Sequence, residues 1–483
     1  MAEVRLTPVR RRAAPAAIRD PAHRAAVAAA YASVRARRRD PVRRLTLAEA
    51  LIEAGQMRRV YRHLRWAMAL APPDWGGLSR VGEAFFRMGE HVAARQVFAR
   101  AQALGVLRPR AHRTYAALLH KEGKVRDARR MLALSALMEP LRAPPVRHPD
   151  RLQVLRLRCF DNSRYQTERG RRSGLWTRSL KSGHFSLADL LPPGTADLHV
   201  LSAWGDSLAL VEDLPPVGVL INTIACADLN GPQLRNAETL LARFPDLPVI
   251  NHPELVLGTA RRTNALRLPL IDGVRFPRTE AIQMEAPADT LRRIEAKGLG
   301  YPMLLRVAGT QTGLTMEKVE TPEAAIAWLS ARTPRQALLA IEYIDLPDAE
   351  GLYRKMRCFF IDGELYPVAS LVSDTWQIHS GDRYRVMDRH PEAQARESAW
   401  LDDPEGHLGA RPIAALNEIA DQLGLDFFGI DFCMDGEGQV VVFEANAAMR
   451  HNFDHARAFP YTRPHLERVS AAFVAMVRRR AGG

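Results

Sequence analysis

Apolar residues along this chain follow three successive rhythms. From about residue 45 to 140 they recur every three or four positions, the spacing of helices with one buried face. LAEALIEAG, VGEAFFRMG and TYAALLHKEG are each followed by a second run of the same kind, QMRRVYRHLRWAMAL, EHVAARQVFARAQAL and KVRDARRMLALSALM. Gly55, Gly89 and Gly123 close the first helix of each pair and lie 34 residues apart. Glycine there accepts the left-handed backbone that ends a helix and permits a tight turn. Small residues, Ala94 and Ala128, recur beside it, with Val60 in the first copy. The second rhythm runs from 151 to about 268. Strand-like stretches (Leu152 to Leu157, Leu198 to Ser202, Val217 to Asn222, Val249 to Asn251) alternate with helical ones such as Gly231 to Phe244, the pattern of an α/β layer. From 269 onward, strands pair across turn residues. Asp362-Gly363 joins Arg354–Ile361 to a following strand, and Asp435-Gly436-Glu437-Gly438 joins Phe427–Met434 to Val440–Ala445.

That last hairpin carries the chemistry. Side chains alternate faces along a strand, so Glu444 and Asn446 share one face. An even loop would put Asp431 on that face as well. Two carboxylates and an amide oxygen converging on one spot suit Mg²⁺, which leaves part of its shell to water and phosphate.

Asp431 followed by Phe443-Glu444-Ala445-Asn446 resembles the metal-binding end of the ATP-grasp ligases, the superfamily of glutathione synthetase and D-alanine–D-alanine ligase. Other stretches resemble its remaining parts, in the family's order over roughly residues 200 to 475. Arg275 to Thr279 (RFPRT) resembles the element that opens the central subdomain. Tyr301 to Ala308 and the following Gly309-Thr310-Gln311-Thr312-Gly313 resemble the strand and small-residue loop that meet the ATP phosphates. Arg306 stands where the family carries lysine; it keeps the charge in a different, planar form. Leu338 to Asp345 resembles the hinge strand, so Glu342, Tyr343 and Ile344 would read the adenine edge, and Asp348 or Glu350 the ribose. Arg357 matches a strand arginine facing the reacting phosphoryl group.

The resemblance implies ATP with two Mg²⁺ ions, Mn²⁺ being an alternative. Asp431 would bind one ion, Glu444 bridge both, and Asn446 bind the second. It also implies an acyl-phosphate mechanism in which an amine or thiol displaces phosphate from an activated carboxylate. His379 and Arg450 would border the acceptor. The pairs of helices resemble a tetratricopeptide array of three units, which would present a concave face to a peptide or protein partner. The expected architecture is therefore multidomain: a basic tail (1–44), an all-α helical repeat array (45–140), a Pro-rich linker, an α/β pre-ATP-grasp domain (151–268) and an α+β ATP-grasp domain (269–483). The activity expected is Mg-ATP-dependent carboxylate–amine ligation of a peptide or natural-product substrate. A phosphotransferase on the same fold, or a repeat-based binding module with a decayed nucleotide site, remain the alternatives.

Composition changes this picture little. With 483 residues, 47% hydrophobic and 25% charged, the chain is long enough for several ordinary cores. Cys159, Cys226, Cys358 and Cys433 are scattered without a CxxC pair, which suits a reducing cytoplasm and no zinc ribbon. No apolar run is long enough for a transmembrane helix, and the Arg-rich start lacks the apolar core of a secretory signal. The net charge of +14 is concentrated in Arg10–Arg12, Arg37–Arg39 and Arg43–Arg44. Without aromatics between them, these arginines do not lead one to expect nucleic-acid binding.

Overall fold

The computed structural model describes residue 18 and residues 20–72, 74–162, 164–170, 173–181, 183–310, 313 and 315–482. The run Arg10–Arg12 and two positions of the small-residue loop, Gln311 and Thr312, lie outside the described residues. Among the described residues, seven helices come first: α1 Pro21–Ala36, α2 Pro41–Glu53, α3 Met57–Leu70, α4 Leu78–Met88, α5 His91–Ala103, α6 Pro109–Lys121 and α7 Val125–Met138. Next are β1 Leu141–Arg142, β2 Leu152–Cys159, β3 Arg164–Arg169, β4 Trp176–Lys181, β5 Ala196–Ala203, β6 Val219–Asn222, α8 Ala227–Leu241, β7 Val249–Ile250, α9 Pro253–Leu257 and α10 Arg261–Arg267. They are followed by β8 Val274–Arg275, β9 Thr279–Gln283, α11 Pro287–Ala296, β10 Met303–Val307, β11 Glu317–Val319, α12 Pro322–Ser330 and β12 Ala337–Glu342. The chain ends with β13 Tyr353–Ile361, β14 Glu364–Ser373, α13 Asp382–Arg385, α14 Pro391–Asp402, α15 Pro404–Leu408, α16 Ala410–Leu423, β15 Phe427–Met434, β16 Val440–Asn446 and α17 Arg463–Arg480. These elements form two compact units, Met1–Pro140 with Ser163–Lys181, and Leu141–Asn162 with Ser182–Gly483.

In the first unit, Asp20 and Asp40 each accept two backbone N–H bonds at a helix start, with proline as the first helical residue. The boundary expected at residue 45 therefore falls inside α2. Gly55, Gly89 and Gly123 all take positive φ, at 70°, 86° and 75°. The residue after each glycine donates back to the last helical turn: Gln56 to Leu51, Glu90 to Phe85, and Lys124 to Leu119. The 34-residue spacing thus corresponds to three equivalent helix ends.

The strands β3 and β4 form an antiparallel hairpin packed on α6 and α4 of this unit. Arg178 pairs with Glu83 at 3.6 Å, and Glu83 accepts from Thr114 at 2.5 Å. Trp176 meets the His91 ring edge-on at 4.5 Å between centroids, and Lys121 lies 5.1 Å over its indole. A methyl group on Gly89 would fall 2.6 Å from Trp176 Nε1, whereas one on Gly123 would meet nothing within 4 Å. Both glycines are left-handed, so alanine strains the backbone at either by about 1 kcal/mol. Gly89→Ala should therefore destabilise this unit clearly more than Gly123→Ala, because it also dislodges Trp176. Thermal melts of the two variants measure the difference, and equal losses would show that the hairpin contributes nothing there.

Among the described residues, the second unit holds three sheets. The first has the order β1-β5-β2-β6-β7, parallel except for β1, and β6 is buried throughout. Leu141 and Arg142, at the start of the expected linker, thus belong to a sheet. The second is antiparallel, β11-β10-β12-β9, with Leu291, Ile294, Trp328 and Leu329 of α11 and α12 packed against Met303 and Leu305. The third runs β14-β13-β15-β16-β8. In it Phe360 lies opposite Phe428 and stacks on it at 5.2 Å. Phe359 and Phe427 stack at 5.3 Å on the other face, where Phe473 of α17 covers Phe427. These aromatic pairs set the register of β13 on β15. Asn251, at φ 57°, exchanges side-chain hydrogen bonds with the Phe427 backbone and ties the loop after β7 to the first residue of β15. No helix among the described residues is long and apolar enough to cross a membrane.

Candidate active site

The register that pairs Phe360 with Phe428 also aligns Arg357 with Asp431. Across the next ladder five residues separate Met434 from Val440, not the even number expected, and a register shift between Asp431 and Phe432 sets Asp431 opposite Glu444. Three charged residues on three adjacent strands thus form one row, with Asn446 two positions beyond Glu444 on the same face. Lys355, two residues before Arg357, joins that face. Arg357 grips Asp431 with Nε at 2.5 Å from Oδ1 and Nη2 at 2.8 Å from Oδ2, while Lys355 Nζ lies 3.6 Å away. Burial pushes the Asp431 carboxyl up, but Arg357 and Lys355 outweigh it and hold it at about 2. Asp431 is therefore ionised at any ordinary pH.

Glu444 is more open, with 37% of its side chain exposed. Its Oε1 accepts from Arg261 Nη2 at 2.9 Å and from Asn446 Nδ2 at 2.7 Å. Arg261, the first residue of α10, also donates to the Phe443 carbonyl at 2.7 Å, and Asn264 to the Ala445 carbonyl at 2.8 Å. These bonds fasten α10 along β16. Together the parts line a small open cleft, bordered by Glu444, Asn446, Arg261, Asn264, Arg306, Gly309 and Thr310, and by Cys226 and Asp228 near the start of α8. It lies just past the carboxyl end of the parallel strand β6, the edge of such sheets where ligands gather.

Arg306 sits on β10 with 8% of its surface exposed and donates to the Thr310 carbonyl. Among the described residues its Nε has no partner. Burial, and then the nearby Arg261, lower its affinity for a proton to a pKa of about 10, so it remains a cation with hydrogen-bonding capacity in reserve. Gly309 takes φ 72°, and a methyl group there would lie 2.9 Å from Leu229 of α8, so glycine lets the loop lie close against that helix. Gly313, at φ 67°, accepts from Gln377 at 3.4 Å and faces the ring of His379, which is exposed.

The remaining expected residues lie apart from this cleft. Glu342 closes β12 and is held by Arg275 at 3.1 Å and the Arg278 N–H at 3.0 Å. Tyr343 donates to Asp345 and meets Trp376 edge-on at 5.8 Å, with Lys318 4.4 Å over its ring. Ile344 follows, half-buried. Glu350 is exposed and lies 3.8 Å from Arg396, and Arg450 is exposed and paired with Asp454 at 2.9 Å. The segment Trp376 to Arg385 is held by its own bonds: Asp382 accepts from the His379 N–H and binds Arg385, which also reaches Asp374. Lys355 is the second cation on Asp431.

Sequence reading missed Arg261, Asn264, Cys226 and Asp228, which come from the α/β layer far upstream in the chain. Lys355 was legible in principle, since alternation puts it beside Arg357.

No protein-family model matches this chain, and no curated protein matches it in sequence. Comparison with solved structures returned a RimK domain ATP-grasp protein from Sphaerobacter thermophilus DSM 20745 at 17% identity and a TM-score of 0.40, covering 67% of this chain and 99% of that one. D-alanine–D-alanine ligase from Bacillus anthracis matches at 10% identity and 0.42, covering 68% and 99%. D-alanyl-alanine synthetase A from Vibrio cholerae O1 biovar eltor str. N16961 matches at 13% identity and 0.41, covering 70% and 100%.

Proposed function

We propose that this chain is an ATP-grasp-type ligase that joins a carboxylate to an amine, or to a thiol, through an acyl phosphate. The observation that carries the reading is the cross-strand row Arg357–Asp431–Glu444 beside a cleft walled by Arg306 and the Gly309 turn. Such a row offers fixed cations and hard oxygen ligands side by side, which is what a transferring phosphoryl group needs. Arg306 would hold a phosphate oxygen through its unpartnered Nε. Arg357 is oriented through Nε and Nη2 by Asp431, leaving Nη1 for charge that develops on the phosphoryl group. Glu342, Tyr343 and Ile344 would line the base, Glu350 the ribose, and His379 and Arg450 the acceptor. Gly309, Thr310 and Gly313 would cover the phosphates.

Asp431, Glu444 and Asn446 fit Mg²⁺ by donor chemistry: two ionisable carboxylates and an amide on neighbouring strands. That a cation already sits at each carboxylate, Arg357 and Lys355 at Asp431 and Arg261 at Glu444, supports the reading. Bound there, the ions would neutralise phosphate charge. Arg261 would have to release Glu444 for that oxygen to serve as a ligand.

The test is isotopic. A carboxylate substrate enriched in oxygen-18 should pass one labelled oxygen to the released phosphate when an amine is present, because the acyl phosphate collapses with its carboxylate oxygen on phosphorus. A phosphorylated product that persists, with no label in free phosphate, would identify a phosphotransferase instead.

The array of α2 to α7 would recruit a peptide or protein substrate. The faces of α4 and α6 already carry the chain's own hairpin, so recruitment would use the remaining surface.

A further inference from the structure

Between Asp20 and Leu70 the chain has eleven arginines and only four carboxylates, Asp20, Asp40, Glu49 and Glu53. All four carboxylates are engaged. Asp20 and Asp40 cap α1 and α2, Glu49 pairs with Arg80 at 2.5 Å, and Glu53 with Arg87 at 2.6 Å. Helix α3 contains no acidic residue, and Arg59, Arg62 and Arg65 project from it exposed. Among the described residues, no ion pair joins those three, or the exposed Arg37 and Arg38, to a carboxylate. The surface therefore keeps its positive charge.

The aromatic residue missing from the arginine runs is supplied by the fold. Trp66 lies on α3 four residues after Arg62 and seven after Arg59, so the three share one side of the helix. It is 46% exposed, unusual for so large an apolar ring. The Arg44 guanidinium stands 4.9 Å from its centroid, over one face. Arg44 Nε also donates to the Arg38 carbonyl at 2.8 Å, and Arg62 is close enough to repel its charge, so the turn after α1, helix α2 and helix α3 converge on one patch.

We propose that this face of α1–α3 binds single-stranded nucleic acid, with Arg59, Arg62 and Arg65 on backbone phosphates and a base stacked on the open face of Trp66. An aromatic platform flanked by a basic track is the arrangement that binds single strands without sequence preference. An acidic peptide would use the arginines and leave the ring idle. A membrane surface would need exposed apolar residues around the tryptophan to insert, and its neighbours are arginines. The inference does not depend on the ligase reading, since no residue of the cleft takes part.

The test uses the full chain and a fluorescent oligothymidylate of about fifteen nucleotides, followed by anisotropy. Binding should weaken linearly in log–log form with salt, by about 0.7 in slope per phosphate neutralised. Arg62→Glu combined with Arg65→Glu should lower affinity at least about tenfold and flatten that slope. Trp66→Ala should cost about tenfold with the slope kept, because stacking is insensitive to salt. Circular dichroism verifies that both variants remain folded. The proposal fails if the oligonucleotide does not bind at about 50 mM salt. It fails equally if Trp66→Ala binds like the parent, or if a polyglutamate peptide or phosphatidylserine vesicles bind as tightly.

Discussion

Replacing Glu444 by alanine should lower ATP turnover by at least about a hundredfold while leaving the melting temperature almost unchanged. The two effects separate because of where the carboxylate sits. It is more than one-third exposed and its partner Arg261 keeps a second bond, to the Phe443 carbonyl, so the fold loses one half-solvated ion pair. Such pairs contribute about 1 kcal/mol or less. The chemistry loses more, since the proposed reading makes Glu444 the ligand shared by both metal ions. Glu444→Gln keeps the shape and the Asn446 contact and should be nearly as inactive. Steady-state ADP release beside a thermal melt decides the matter. Near-normal turnover in either variant at ordinary Mg²⁺ would remove the metal hairpin from the mechanism.

Arg357→Ala has the opposite balance: it should damage both the fold and the reaction. Asp431 is buried, and its charge is tolerated because Arg357 and Lys355 answer it. Removing the bidentate partner leaves a buried carboxylate with one cation 3.6 Å away. Breaking a buried pair from one side costs about 3 kcal/mol or more. The pH dependence has a definite sign. Against burial, Arg357 and Lys355 hold the folded Asp431 carboxyl at about 2, below the ordinary 3.8, so the pair's contribution is complete above about pH 4 and disappears as pH falls toward 2. Parent and variant should therefore differ most near neutrality, and the gap should close in acid. Melting curves across that range measure it, and an equally stable variant near neutrality would disprove the account. Turnover should also drop by about a hundredfold. Arg357→Lys should recover little of either loss, because an ammonium cannot reproduce the two parallel bonds to Asp431.

The sequence was most readable where apolar runs flank turn residues. The apolar stretches Phe427–Met434 and Val440–Asn446 around Asp435–Gly438 located the hairpin, but the loop is odd rather than even, and Asp431 comes to lie across from Glu444 through a register shift beside it. The glycines at 55, 89 and 123 marked true helix ends because only a left-handed residue fits there without strain. The hairpin β3–β4 went unread for the converse reason. RYQTER and WTRSLK are short and mostly polar, with only Tyr165, Trp176 and Leu180 to mark an inner face, too few for a period to distinguish them from a loop. Arg261 escaped because its partner lies 183 residues away, and no local pattern encodes so distant a pairing. Lys355 was passed over although its parity with Arg357 was plain, since composition alone cannot say which charged neighbour faces inward. Glu350 and Arg450 were named by position along the chain; the structure puts each in a surface ion pair of its own.

The hairpin has one more consequence, for anyone who would cut or exchange parts of this protein. The helical unit is built from two separate stretches, so the polypeptide crosses between units at three places, after Pro140, after Asn162 and after Lys181. A fragment beginning near Arg151 would retain Tyr165 and Trp176 without the helices they rest on, and would expose aromatic surface on a strand pair too small to be stable alone. A clean excision must remove the ribbon as well and rejoin Asn162 to Gly183 by a short bridge. Recombination between relatives would face the same demand, since a single crossover inherits helices from one parent and the ribbon that seats on them from the other.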